Sequence, residues 1–381
     1  ALGTGDIRIN GGALRSTVNA TLANPNFFFS GSGTSVLSAA TGTTLTLTSG
    51  DVSWDTGTTA QFGTATDAGT IVLDPSSSSI SGGSKVVVAG GTLQIGSDNI
   101  SWLTSIVEST TVAAGATLDF NDHIEDGSGI RQLGGAGWVR IGANSASVLG
   151  IERGEFDGGI TGAGGVRIGY LPGPAGTLVL GGTDLNTYTG ATTINGGRTL
   201  RASATNAFAA DSAHDMASGA TLDLGGFNQT IGSLAGAGEV TNSGSAAATL
   251  VTNGNHASSS FNGLIQDGTA SIGLTKAGTG MLTLSNVNTY TGETMVEGGT
   301  LLVNGSIASS LLTTVKSGGT LGGGGTVGNT EVFGTLSAGN SPGTLTVAGD
   351  LTLNAGSTSV FELGAPGTVG GASNDLVNVT G

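Results

Sequence analysis

A short phrase of glycine, threonine and leucine recurs along the chain, and no other feature restricts its possible folds as much. It appears as GTTLTL (42–47), GGTLQI (90–95), GATLDF (115–120), GTLVL (176–180), GATLDL (219–224), GGTLLV (298–303) and GTLTV (343–347). Each copy reads as a short strand of alternating residues entered through a glycine turn. The leucines are 25 residues apart from Leu93 to Leu118, 22 from Leu178 to Leu200 and again to Leu222, and 19 from Leu282 to Leu301. A period of about 20–25 residues marks a solenoid, in which each coil buries its leucine against the one beneath.

A helical solenoid needs apolar residues at i, i+3 and i+4 over about ten positions, and glycine interrupts nearly every such window. Strands tolerate the interruptions, because glycine supplies positive φ where one strand corners into the next. The 72 glycines in 381 residues are then an architectural requirement. Threonine, valine and isoleucine suit the strands between, and Thr, Ser and Asn side chains suit ladders from coil to coil. The prediction is all-β: a parallel β-helix, or β-solenoid, forming a single elongated rod. Two long glycine-free stretches, Ser97–Ala114 and Arg198–Ser218, interrupt the pattern. The second is rich enough in alanine to predict a short helix or a protruding loop.

Composition excludes several functions. Eleven basic residues against 26 acidic ones, a net charge of −15, leave no positive stripe to neutralise phosphates, so nucleic acid is not an expected partner. The absence of cysteine removes disulfides and thiolate metal sites. No run of eighteen apolar residues is present to cross a membrane as a helix.

The pentapeptide NTYTG occurs at Asn186–Gly190 and at Asn288–Gly292. It is either a ligand contact used twice or a corner of the repeat. Matching strands flank both copies, and Asn and Thr are turn and ladder formers, which favours corners built on Asn186, Tyr188, Gly190, Asn288, Tyr290 and Gly292.

With those phrases in hand the chain resembles a known family. LTKAGTGMLTLSNVNTYTGETMVEGGTLLVNG (274–305) is similar to the passenger-associated repeat of bacterial autotransporters, and GTLVLGGTDLNTYTGATTINGGRTL (176–200) looks like a second copy. GATLDLGGFNQTIGSLAGAGEV (219–240) and GTLSAGNSPGTLTVAGDLTLNAGSTSVFEL (334–363), followed by NDLVNVTG (374–381), resemble further segments of that family in its usual order. The likeness divides the chain into 1–173, a divergent part of the solenoid, and 174–381, which carries the repeats, within one continuous domain. It implies a right-handed β-helix secreted through a C-terminal outer-membrane β-barrel of the same polypeptide and displayed on a Gram-negative cell surface. The sequence holds no such barrel and reads as a passenger fragment.

Candidate chemistry is sparse. Gly339–Gly343 satisfies G-x-S-x-G, but strands rather than a helix are expected on both sides. Gly323, Gly325 and Gly328 fit a dinucleotide fingerprint by spacing alone, with no βαβ unit around them. The densest polar cluster is Asp119, Asp122, His123, Glu125 and Asp126, which offers a calcium site, a paired acid and base, or a solvated interaction loop. The loop is preferred, and Glu152, Glu155 and Asp157 are read likewise. His123, His214 and His256 are expected at the surface. Trp54, Trp102 and Trp138 are assigned to the core in preference to stacking on sugars. No catalytic residue, cofactor or metal site is expected. The leading function is adhesion or bacterial self-association through exposed ladders and the loops at 119–130 and 204–218. Its partners are then a host surface, matrix, or the same protein on neighbouring cells. The alternatives are a structural stalk that promotes secretion and, behind it, a polysaccharide-active enzyme.

Overall fold

The computed structural model describes residues 4–48, 50–98, 107–124, 129–171, 175–183, 185–252, 254–340, 342–370 and 373–381. Among these residues the regular structure is β-strand, with no α-helix. The chain groups into two compact units, Ala1–Thr192 and Thr193–Gly381.

In the first unit the chain winds through three strands per coil. The strands Asn26–Ser30, Thr34–Ala39 and Thr44–Leu47 lie on three different sheets, and Asp51–Trp54, Thr59–Phe62 and Thr70–Leu73 stack on them in the same order. All these pairings are parallel and in register, so a residue meets its counterpart one coil later. The core follows from that register. Leu45, Ile71, Leu93, Leu118, Val139 and Ile160 are consecutive partners on one sheet, and each is at most 2% exposed. The expected superposition of Leu93 on Leu118 is one step of this column. Alternate residues point outward because the side-chain period of a strand is two. An aromatic cluster fills the early coils, with Phe29 stacked on Trp54 at 4.9 Å between ring centroids and edge-on to Phe62 at 5.6 Å.

The second unit repeats the plan. Leu282 pairs with Leu301, Leu301 with Leu321 and Leu321 with Leu336, all buried. Leu200 pairs with Leu222 as its spacing predicts. Coil length varies along this column: 19 residues from Leu282 to Leu301, 20 from Leu301 to Leu321 and 15 from Leu321 to Leu336. Each unit is thus a parallel β-solenoid.

Glycine is obligatory where coils approach most closely. Gly154 has φ 138°, and a Cβ there would sit 1.9 Å from the Leu133 carbonyl oxygen. No other residue fits both the dihedral and the space.

The stretch 198–218 forms no helix. It holds the strands Arg198–Ala202 and Ala213–Met216, joined by a connection whose middle, Ala207, Phe208 and Ala209, is tucked into the core. The buried amide of Gln229 holds it there, accepting from Phe208 N at 3.1 Å and donating to the Ala204 carbonyl at 2.7 Å. Burial of Phe208 and ladder pairing override the local helix preference of alanine, which tertiary context outweighs.

Candidate functional site

The two NTYTG segments have the same geometry. Asn186 Oδ1 accepts from Ile160 N at 2.8 Å, and Asn288 Oδ1 from Ile265 N at 2.9 Å. Tyr188 and Tyr290 are buried, their hydroxyls 2.7 and 2.6 Å from Thr192 Oγ1 and Thr294 Oγ1. Burial raises the Tyr290 hydroxyl pKa well above its usual value, partly offset by the bond to Thr294. A Cβ at Gly190 or Gly292 would lie 2.4 or 2.2 Å from backbone atoms of the neighbouring coil. Both tyrosine rings face the core, away from solvent.

The acidic cluster is a turn. Asn121 and Asp122 are both left-handed, at φ 48° and 66°. Asp119 Oδ1 accepts from Asn121 N at 2.9 Å, and Asp122 Oδ1 accepts from Asn144 N at 2.6 Å in the next coil. His123 Nδ1 lies 2.7 Å from Asp98 Oδ1 at the surface. Glu125 and Asp126 lie outside the described residues, as does Trp102. Among the described residues no group of three or more His, Asp or Glu side chains converges as a metal site would require. Glu152 is buried and accepts from Leu171 N, whereas Glu155 and Asp157 are exposed. Gly339 and Gly343 connect the strands Thr335–Ala338 and Thr344–Val347, without the helix a nucleophile elbow needs; Ser341 lies outside the described residues.

Two buried bases depart from expectation. His214 is 1% exposed rather than at the surface, because it occupies an inward position of the strand Ala213–Met216. Its Nδ1 lies 3.0 Å from the Ser212 carbonyl, and Nε2 finds no hydrogen-bond partner among the described residues. Burial pushes the imidazole down to about 4. Lys276, not singled out from sequence, stands in an apolar column whose next members are Val296, Val315 and Val332. Its ammonium donates to the carbonyls of Ala277 at 2.6 Å, Gly278 at 3.2 Å and Gly298 at 3.0 Å, and burial lowers its pKa to about 8.

Next to the acidic turn the first unit carries an outward polar row. Gln94, Asp119, Arg140 and Thr161 are successive register partners, one per coil. Thr117, Trp138 and Gly159 form the adjoining row on the same face, since inward-pointing Val139 separates Trp138 from Arg140. Trp54 is core, but Trp138 is half-buried on this outer face. Its benzo ring occupies the space a side chain at Gly159 would need, with ring carbons 2.4, 2.7 and 3.1 Å from an ideal Cβ there. An open groove lined by Asp119, Asn121, Asp122, Arg140 and Thr161 begins two residues further along the strand, at Arg140. Sequence inspection missed this surface because its members come from four successive coils; alignment of the coils by register is the signal that brings them together.

Comparison with known proteins agrees with the repeat architecture. The family described as passenger-associated-transport-repeat matches residues 64–95, 175–202 and 274–303. The first of these copies lacks NTYTG and ends on the GGTLQI phrase, within the part of the chain, 1–173, expected to be divergent. The adhesin BmaC autotransporter of Brucella suis is 32% identical over 339 residues, 83% of this chain and 9% of that protein. An extracellular serine protease of Serratia marcescens is 44% identical over 87 residues, 22% of this chain and 8% of the protease. A second such protease is 40% identical over 98 residues, 25% of this chain and 9% of that protein. The chain therefore spans less than a tenth of the length of these relatives. No solved structure matches.

Proposed function

Because the chain belongs to the bacterial autotransporter passengers that carry passenger-associated-transport-repeats, we propose that it acts in adhesion or bacterial self-association. The family is one of surface-exposed or secreted proteins, and that is the compartment of this chain. The observation that carries the adhesive reading is the similarity to an adhesin autotransporter over 83% of the chain. Its partners are a host surface, matrix, or the same protein on a neighbouring cell, while an outer-membrane β-barrel of the same polypeptide supplies export and anchorage. Affinity on such a surface comes from many weak contacts made in parallel. The test is display of the chain on a non-adherent bacterium fused to a heterologous barrel, followed by counts of cell attachment and of sedimentation by aggregation. Gain of either supports the reading; display at normal density with neither gained overturns it.

A second reading treats the segment as a stalk that aids secretion of whatever it is joined to. It is favoured by the range of relatives, since proteins called proteases and one called an adhesin share stretches with this chain. Deletion of 274–305 then lowers the amount displayed more than attachment per displayed molecule. Unchanged display counts against it. Proteolysis by the chain itself has no support from named residues, and incubation with casein checks that directly.

A further inference from the structure

We propose that the outward face around Trp138 is a binding site for a neutral oligosaccharide, an assignment that deepens the adhesive reading by naming its ligand class and location. The argument starts from Gly159. Its φ is not in the left-handed region, so the backbone there does not demand glycine; the Trp138 ring does, because any side chain at 159 would displace it. The ring is therefore seated on the outside of the sheet by a cut-away neighbour, and it remains half-buried rather than sunk in the core as Trp54 is. An aromatic surface held in this way offers an apolar platform with low entropic cost on binding.

Polar groups stand beside that platform in the order a polyhydroxylated ligand needs. Arg140 shares the strand with Trp138 two residues on, flanked in register by Asp119 on one side and Thr161 on the other. Asp122 and Asn121 close the end of the same groove. Coils repeat at about 4.8 Å, so the row presents acceptor, donor and hydroxyl at close, regular intervals. The backbone of this sheet is already paired on both sides of Trp138–Arg140, leaving only side-chain groups to bind with. An extended peptide, which binds by completing a sheet edge, has no edge here. One guanidinium beside two carboxylates, on a chain of net charge −15, disfavours sulfated or sialylated glycans. An apolar platform with a few convergent polar groups suits the alternating CH faces and hydroxyls of an uncharged sugar.

The test is an array of immobilised neutral, sialylated and sulfated oligosaccharides and a matching array of extended peptides, probed with the full chain and with Trp138→Ala, Trp138→Phe and Thr161→Trp. Neutral glycans are retained by the parent chain; Trp138→Ala and the groove-filling Thr161→Trp weaken them at least roughly tenfold, and Trp138→Phe by less. Thermal melting monitors folding, and Thr161→Trp, a change at an outward position, carries the test if Trp138→Ala does not fold. Retention of no neutral glycan, preference for anionic glycans or peptides, or parental binding by both Trp138→Ala and Thr161→Trp overturns the site. Attachment of displaying cells separates the two readings. If cells attach without neutral-glycan binding, adhesion stands and the site falls. If neutral glycans bind at Trp138 and cells neither attach nor aggregate, the site stands and adhesion falls.

Discussion

Tyr290 illustrates how a residue can fill the core of a coil yet contribute little through its polar atom. Its hydroxyl meets Thr294 at 2.6 Å, but Thr294 Oγ1 also has Ser310 Oγ at 2.9 Å. Tyr290→Phe therefore leaves no orphaned partner and is expected to cost about 1 kcal/mol in denaturant unfolding. Gly292→Ala, which places a Cβ 2.2 Å from the Ile272 carbonyl oxygen, is expected to cost about 2–3 kcal/mol because the backbone cannot give way. The buried bases set the pH response. Unfolded Lys276 holds its proton up to about 10.5 and the folded residue only to about 8, so across that window the unfolded state binds more protons and stability rises with pH. For His214 the window is from about 4 to 6.5, and stability falls as pH drops through it, since a charged ring would bury a second N–H without an acceptor. Unfolding followed from pH 4 to 10.5 should show both slopes, and Lys276→Met should abolish the upper one while leaving the lower.

The strands owe their stability to columns rather than to their own length, since most are three to five residues long. Leu301 lies between Leu282 and Leu321 in its column and is fully buried, so Leu301→Ala is expected to cost about 3–4 kcal/mol. Leu302, one residue on and outward, should cost less than about 1 kcal/mol when truncated. A comparison of their unfolding midpoints checks that the two faces differ. These columns were readable in the sequence because leucines recur at nearly constant spacing beside glycine corners. The path of 198–218 was not, because the alanines there signal local preference while Gln229, outside the stretch and 21 and 25 residues from the Phe208 and Ala204 groups it holds, decides the outcome. The groove was equally hidden: Asp119, Arg140 and Thr161 become neighbours only through 21-residue register steps, and nothing local distinguishes Trp138 from a core tryptophan. Lys276 stood in a recognised repeat phrase, yet its burial depends on carbonyls from its own corner and the next coil.

At the scale of the whole molecule, function separates from fold. The family's solenoid supplies surface, and the proposed chemistry occupies one sheet face in the first unit, where a few outward residues depart from the repeat. The acidic balance of 26 carboxylates to eleven basic residues keeps polyanions away and leaves uncharged ligands unaffected. All of this depends on coils lying on one another in the register described. The chain has no cysteine, so that register can be measured with introduced pairs and no background. In Thr283→Cys with Leu302→Cys, two outward register partners, a thiol reagent spanning about 5 Å should link the pair in the folded protein. In Met281→Cys with Thr320→Cys, outward positions two coils apart, it should not. Linkage of the first pair alone is the predicted result; equal linkage of both, or of neither, would contradict the stacked solenoid.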